Sequence, residues 1–544
     1  RVDLRISMLK NVPLSIFLLV YIGFSLIFHQ APLLSWLNRF TDFSTISGLS
    51  ALLFIELLSF SLWVLLLTPF FIISIKLGKL IAVILLILNA TALFWMTSLG
   101  VVMTKAVIAS LFFTDYSEAS GFLNDDYMLH LVLLGILPSI VVVLVPIAPV
   151  KRRVLCLYPI LSVALIFTAT SLAPNLTSWV NANGAQLGSR LLPWSYIGKT
   201  INYVRDLRSG YYGRYFGEFA QLPDGVIADD TPGLVVLVIG ESSRGASYSY
   251  YGYERAVNTS TQNMSYVALP ISTACATSTM ITTGCILSPH GRDDWEKEPV
   301  EPLPSYLNRL GIKTFVRTNN TEMPRLKVGD YKTTEELAEL CETDYCKAYN
   351  ARSCENQLCQ ESYFDNMLLA NMDPILDLAQ KEKVFLLLHL RGSHGPNYAD
   401  RSPKEFRPFT PACDDHVTKC SLETLTNSYD NSTAFTDQIL ANLAKTIAQR
   451  QNLNAAVLYL SDHGQSLGED GLYMHGLPID EAPIEQLEIP FLLWTSETLK
   501  RTHDISQVVN TNVAAQDAIF HSVLGLLNVI DGPYDPQRDI FQVR

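Results

Sequence analysis

No internal repeat and no low-complexity tract runs through the 544 residues, which excludes solenoids, propellers and fibrous arrays. Positive charge is short: 40 Lys and Arg stand against 52 Asp and Glu, for a net charge of −12. A protein that follows a nucleic-acid backbone needs a basic face, so nucleic acid is excluded as a partner. The shortage is uneven. Ten basic and seven acidic residues up to Arg153 leave +3 there, so the remainder carries −15. Cysteine is nearly missing from the first half, where Cys156 stands alone in a span and is read as packing, while eight follow from Cys275 onward. A small-residue cleavage site after the first apolar run is also lacking, so that run is expected to remain as an anchor.

The charge-poor first third is apolar. Runs at residues 13–28, 49–75, 80–103, 128–149 and 154–173 approach or exceed the roughly 20 residues that cross a bilayer as a helix. Short loops rich in Lys and Arg stay in the cytoplasm. Arg1, Arg5 and Lys10 precede the first run, Lys76 and Lys79 follow the second, and Lys151, Arg152 and Arg153 follow the fourth. The other two loops hold only Arg39 and Lys105. The N-terminus is therefore expected in the cytoplasm and the C-terminal two-thirds outside it. Glu56, within the second run, is an intramembrane carboxylate and a functional candidate on that ground, with no role assigned.

Closely spaced cysteines beyond the last span suit an oxidising compartment. Sequence neighbours suggest the pairs Cys275–Cys285, Cys341–Cys346, Cys354–Cys359 and Cys413–Cys420. A zinc site built from the four cysteines between 341 and 359 is the competing reading, and its four-residue gaps are wider than the usual two.

Three regions are expected: a transmembrane domain of five helices over 1–173, a linker over 174–230, and a soluble domain over 231–544. The linker is rich in Asn, Gly, Ser and Tyr, with an interfacial helix near 195–207 and Trp179, Trp194, Tyr196 and Tyr203 as interfacial aromatics. In the soluble domain short apolar runs at 234–239, 312–316, 384–388, 455–460 and 489–494 alternate with helical stretches, for instance near 433–449 and 514–528. Such alternation predicts an α/β domain with a largely parallel sheet.

Ligands in open α/β sheets bind beyond the carboxyl ends of the strands. Glu241 follows the first run, His389 and His394 the third, and Asp462 and His463 the fourth, with His475 close behind. An Asp–His pair by itself is usually a cap and a solvated imidazole. Four of this domain's eight histidines fall in the cluster, and carboxylate with imidazole is a zinc-binding combination. Between Cys275 and Cys285 lies a hydroxyl-rich segment in which Thr277, Ser278, Thr279, Thr282 and Thr283 are all candidate nucleophiles. A hydroxyl at a helix N-terminus stands where phosphate is readily bound, and zinc lowers the pKa of such a group.

Five apolar spans, Gly240-Glu241, Cys275-Ala-Thr-Ser-Thr279 with Cys285, Gly392-Ser-His394-Gly-Pro396 and Ser461-Asp-His-Gly-Gln-Ser-Leu-Gly-Glu469 together resemble the phosphoethanolamine transferases. These are Gram-negative inner-membrane enzymes that include lipid A-modifying and colistin-resistance members. The resemblance spans nearly the whole chain. It implies an alkaline-phosphatase-like, sulfatase-like outer domain in the periplasm, with Thr279 as nucleophile and Glu241, Thr279, Asp462 and His463 as ligands of one zinc. It also implies that His394 and His475, with His389 close by, take the substrate or a second zinc. The family's polar set for the donor head group maps to Ser110, Thr114 and Glu118, with Ser110 where Asn is usual. Gln465 stands where the family usually has Glu, and the stretch from Asn320 to Arg325 lacks the usual cysteine-framed loop.

The reaction so implied moves phosphoethanolamine from phosphatidylethanolamine to a lipopolysaccharide acceptor, most directly a lipid A phosphate, in a monomeric enzyme among membrane lipids. Transfer to a core sugar or periplasmic glucan, phosphoglycerol transfer and a non-enzymatic membrane sensor are the alternatives. A sulfatase would need a Cys-x-Pro/Ser-x-Arg segment, which Cys275 does not begin.

Overall fold

A computed structural model describes residues 11–113, 122–209, 227, 229–292, 300–321, 323–340, 363–501, 508 and 515–541. The chain divides into two compact units: Arg1–Ile108 with Leu123–Asn202, and Ala109–Phe122 with Tyr203–Arg544.

The first unit is helical. Among the described residues four helices are long and apolar enough to cross a membrane: α3 (Ile46–Ile73), α4 (Ile75–Ser98), α6 (Asp125–Leu144) and α7 (Arg152–Leu172). A fifth crossing comes from α1 (Leu14–Phe28) and α2 (Ala31–Leu37), bent by 55° at a break, if that pair counts as one. α5 is Lys105–Phe113. Caps set the boundaries: the hydroxyl of Thr45 accepts from Gly48 N, and that of Ser74 from Leu77 N. Outward faces are apolar, with Leu161 64% and Phe167 72% exposed, as suits lipid rather than water.

Bilayer-depth backbone groups need internal partners. Pro138 in α6 has no N–H to offer the carbonyl four residues back, that of Leu134. His29, at the α1–α2 break, bonds that oxygen through Nε2 at 3.2 Å. The neighbouring Gln30 amide donates to Leu192 O (2.6 Å) and accepts from Leu192 N (3.3 Å), tying the break to the chain beyond α7. Glu56 lies in α3 with both carboxylate oxygens buried and without a hydrogen-bond partner. Cys156, expected in the packing, is instead exposed at the start of the last span.

The stretch expected as a linker holds three helices, α8 (Pro174–Ala182), α9 (Gly184–Arg190) and α10 (Trp194–Ser209). Pro174 sits at the first helical position, where its missing N–H costs nothing. Tyr203 is buried at 1% exposure, stacked on Phe112 with ring centroids 5.1 Å apart.

The second unit is built on a seven-stranded sheet. Its strands are β1 (Gly233–Gly240), β2 (Val267–Ala268), β3 (Lys313–Thr318), β4 (Asp330–Thr333), β5 (Lys383–His389), β6 (Ala455–Ser461) and β7 (Phe491–Thr495). The spatial order is β2-β7-β6-β1-β5-β3-β4. All pairings from β6 to β4 are parallel, while β7 and β2 form an antiparallel edge. Both faces are covered, which is why these strands read as continuous apolar runs. On β1, Val235, Leu237 and Ile239 enter one core, while Leu234, Val236 and Val238 enter the other. The run expected at 489–494 splits at Pro490, which lacks the N–H a ladder needs. Glu488–Ile489 pairs instead with Ser272–Thr273.

The long helix α12 (Leu422–Ala448) begins 11 residues before the stretch expected near 433. Its first half is polar in sequence yet buried, with Asp430, Asn431 and Ser432 each at 1% exposure or less. A shorter helix, α11 (Thr279–Ile286), precedes it in the chain. Leu458 is fully buried in β6 and packs in the first of the two cores. Leu458→Ala should therefore destabilise the second unit by about 2–5 kcal/mol, seen as a lower thermal unfolding midpoint of the full chain in detergent.

Candidate active site

Adjacent parallel strands deliver their carboxyl ends to one edge. Gly240 is in register with Ser461, and Ile239 with His389, so the residues that follow β1, β6 and β5 emerge side by side. Glu241 leaves β1, and Asp462 and His463 leave β6; all three side chains are wholly buried. Backbone bonds lock the exits together: Asp462 N donates to Gly240 O (3.0 Å), and Ser242 N donates to Asp462 Oδ1 (3.0 Å). Ser242 takes φ 55° to do so, a left-handed conformation that a non-glycine residue holds only under such constraint. Gly392 (φ +52°) lies so close that a Cβ there would stand 2.6 Å from Glu241 O.

Thr279 opens α11 and is 4% exposed. Its hydroxyl lies 2.9 Å from Glu241 Oε2 and 3.3 Å from His463 Nε2. The other candidate hydroxyls are turned elsewhere. Thr277 donates to Leu477 O, Thr282 to Ser278 O and Thr283 to Thr279 O, while Ser278 Oγ is buried without a partner. The disulfide Cys275–Cys285 frames the segment, and Cys413–Cys420 is the other bridge among the described residues. The pairs Cys341–Cys346 and Cys354–Cys359 lie outside those residues.

His463 Nε2 is 3.4 Å from Glu241 Oε1 and 3.2 Å from Asp462 Oδ2. His463 Nδ1 lies 2.9 Å from Gly464 O, so that nitrogen carries the proton and Nε2 the lone pair. Two carboxylates and a lone pair thus converge out of water. Asp462 Oδ2 has no hydrogen-bond partner. Such a set needs protons or a cation to be stable. Tetrahedral zinc with ligands at about 2.0–2.1 Å separates them by about 3.3 Å. The donor spacings of 2.9–3.4 Å fit that ion. A second grouping overlaps the first: ligand atoms of Glu241, His463 and His475 lie within 4.8 Å of one another.

The histidines divide. His475 lies tilted against His463 with centroids 4.1 Å apart, and the His394 ring is 5.7 Å from that of His475. His389 ends β5 wholly buried, with neither ring nitrogen hydrogen-bonded. Burial holds His394 near 4 and His475 well below the ordinary imidazole range, so both are neutral at neutral pH. Ser110 lies in α5, while Thr114 and Glu118 fall outside the described residues.

Several groups at the site were not assigned a role from sequence. Asn320 Nδ2 donates to Glu241 Oε2 (2.9 Å). It follows β3, so the strand-exit signal that marks Glu241 also marks Asn320. Gln516 accepts from Cys275 N (2.6 Å) and donates to Asp462 O, joining the Cys275–Cys285 segment to the loop that follows β6. Asp365 accepts from Arg391 N and Gly392 N, both at 2.8 Å, and so holds the His394 loop. Nothing local in sequence marks Gln516 or Asp365.

Residues 234–529 match the sulfatase family model, and residues 59–207 match the model described as phosphoethanolamine transferase EptA/EptB. Phosphoethanolamine transferase EptA of Helicobacter pylori is 32% identical over 86% of each chain. The chain belongs to the phosphoethanolamine transferase family. Phosphatidylethanolamine transferase Mcr-1 of Escherichia coli is 29% identical over 83% of this chain and 84% of its own. In fold, this transferase is similar to the integral membrane protein lipooligosaccharide phosphoethanolamine transferase A of Neisseria meningitidis. The TM-score is 0.83, with 24% identity, over 98% of this chain and 99% of that one.

Burial, then the neighbouring Asp462, pushes the transferase's Glu241 carboxyl up to about 7, and burial pushes Asp462 to about 6. Without a cation the folded state therefore keeps protons that the unfolded chain has released. The stability from these groups is present at low pH and is lost as pH rises through about 6 and 7. A bound cation removes that loss. Added zinc should raise the unfolding temperature more at pH 8 than at pH 5.5, and Glu241→Gln should abolish most of the difference; equal shifts at both pH values would contradict this.

Proposed function

We propose that the chain transfers phosphoethanolamine from phosphatidylethanolamine to a lipid A phosphate through a covalent phosphoethanolamine on Thr279. The observation that carries this reading is the Thr279 hydroxyl, aimed at Glu241 and His463 where β1 and β6 end. Glu241, Thr279, Asp462 and His463 are the residues that would hold a zinc ion. Such an ion supplies positive charge that favours the ionised hydroxyl and offsets oxygen charge in the transition state.

In the first half-reaction Thr279 Oγ bonds to phosphorus as the bond from phosphorus to the diacylglycerol oxygen breaks. The hydroxyl proton leaves along its hydrogen bond to Glu241 Oε2, and the departing diacylglycerol oxygen takes up a proton. In the second, an acceptor phosphate oxygen attacks the same phosphorus, and Thr279 Oγ leaves and regains its proton. The start of α11 places the partial positive charge of a helix N-terminus beside the phosphorylated side chain. Asn320 holds the Glu241 carboxylate, and the neutral His394 and His475 lie beside each other with ring centroids 5.7 Å apart.

Placement follows from the loops and bridges. The positive-inside distribution puts the N-terminus in the cytoplasm of a multi-pass inner-membrane protein, and the second unit in the periplasm. Cys275–Cys285 and Cys413–Cys420 support an oxidising compartment. Donor and acceptor are both lipids of that side, so an anchored catalyst works at high local concentration. Adding an ammonium to a lipid A phosphate lowers its negative charge and so weakens attraction for polymyxin and other cationic peptides.

Thr279→Ala should give no labelled enzyme with labelled phosphatidylethanolamine and no modified lipid A by mass spectrometry. Cells expressing it should remain polymyxin-sensitive. Modified lipid A from those cells would overturn the nucleophile; label on a core sugar or glucan would overturn the acceptor.

A further inference from the structure

Gln465 is wholly buried beside the site and spans two groups with opposite ends of its amide. Nε2 donates to Tyr398 Oη at 2.7 Å, and Oε1 lies 2.8 Å from His475 Nδ1. One other atom approaches that nitrogen, Ser242 Oγ at 3.4 Å. Ser242 has a single hydroxyl proton and gives it to Glu241 Oε1 at 2.7 Å. Both atoms that face His475 Nδ1 therefore offer lone pairs and no proton. Only a protonated Nδ1 satisfies them.

We infer that Gln465 is a positioning residue that fixes His475 as the Nδ1–H tautomer, leaving Nε2 with the lone pair. His475 is then an acceptor at Nε2: it can take a metal cation, an ammonium or a hydroxyl proton, and cannot donate to a phosphate oxygen. Tyr398, 2% exposed and packed edge-on against Tyr429 at 5.2 Å, takes the Nε2 end of the amide, which leaves Oε1 toward His475. A carboxylate in the same place would also accept from Nδ1, but its charge would raise the proton affinity of the ring. The amide orients His475 without placing a charge beside it.

The inference deepens the transferase reading and rests on it only for what Nε2 contacts. The tautomer is measurable without turnover. Full-length protein in lipid, with histidine labelled by nitrogen-15, is compared by solid-state NMR in metal-free and zinc-loaded forms; His475→Asn identifies the resonance. The wild type should show protonated Nδ1 and unprotonated Nε2 in both forms. Gln465→Leu should mix the tautomers and lower kcat about 10–100-fold. Gln465→Glu should restore the Nδ1–H form and recover much of the lost rate. A wild-type Nε2–H tautomer, or an unchanged tautomer in a folded Gln465→Leu, overturns the inference. The wild-type spectrum decides even if Gln465→Leu fails to fold. Failure of zinc binding or of Thr279 labelling would instead overturn the transferase reading and leave the tautomer result standing.

Discussion

Two carboxylates and an imidazole lone pair, brought together out of water at the ends of adjacent parallel strands, are the constraint around which the second unit is arranged. Glu241, Asp462 and His463 are all wholly buried, and Asp462 Oδ2 has no hydrogen-bond partner. An arrangement of that kind repels itself unless protons or a cation intervene. The sheet supplies the rigidity to hold it. Seven strands with cores on both faces leave the strand exits little freedom to relax the charges apart.

Neutral polar groups from distant parts of the chain then hold the charged ones in position. Asn320 donates to Glu241, Ser242 N and His463 N donate to Asp462 Oδ1, and Gln516 spans from Cys275 to the Asp462 carbonyl. Such bonds orient a ligand without adding charge to a site already rich in it. Gln465 does the same for His475. Read from sequence, Gln465 is the loss of an acid near the metals. In the fold it is a buried amide with both ends engaged, which is a different chemical statement about the same residue.

The membrane unit meets a related demand with different means. There the groups without water are backbone carbonyls, and His29 bonds the one that Pro138 leaves without its helical donor. Histidine at the first helix break and proline in the sixth helix are 109 positions apart, and no periodicity connects them.

Sequence by itself determined what short-range pattern can carry. Apolar length marked the membrane helices, continuous apolar runs marked the strands buried on both faces, and residues just past those runs marked Glu241, Asp462 and His463. Asn320 also stands just past such a run, but was not singled out from sequence. Tertiary structure decided everything that depends on which groups meet. It singled out Thr279 from five neighbouring hydroxyls because only that one points at Glu241 and His463. It buried His389 with neither ring nitrogen hydrogen-bonded, and it buried the polar first half of α12, whose burial is invisible in local composition. Propensity and periodicity act over a few residues, whereas hydrogen-bond direction and the meeting of charges act across hundreds, so only the folded chain could settle them.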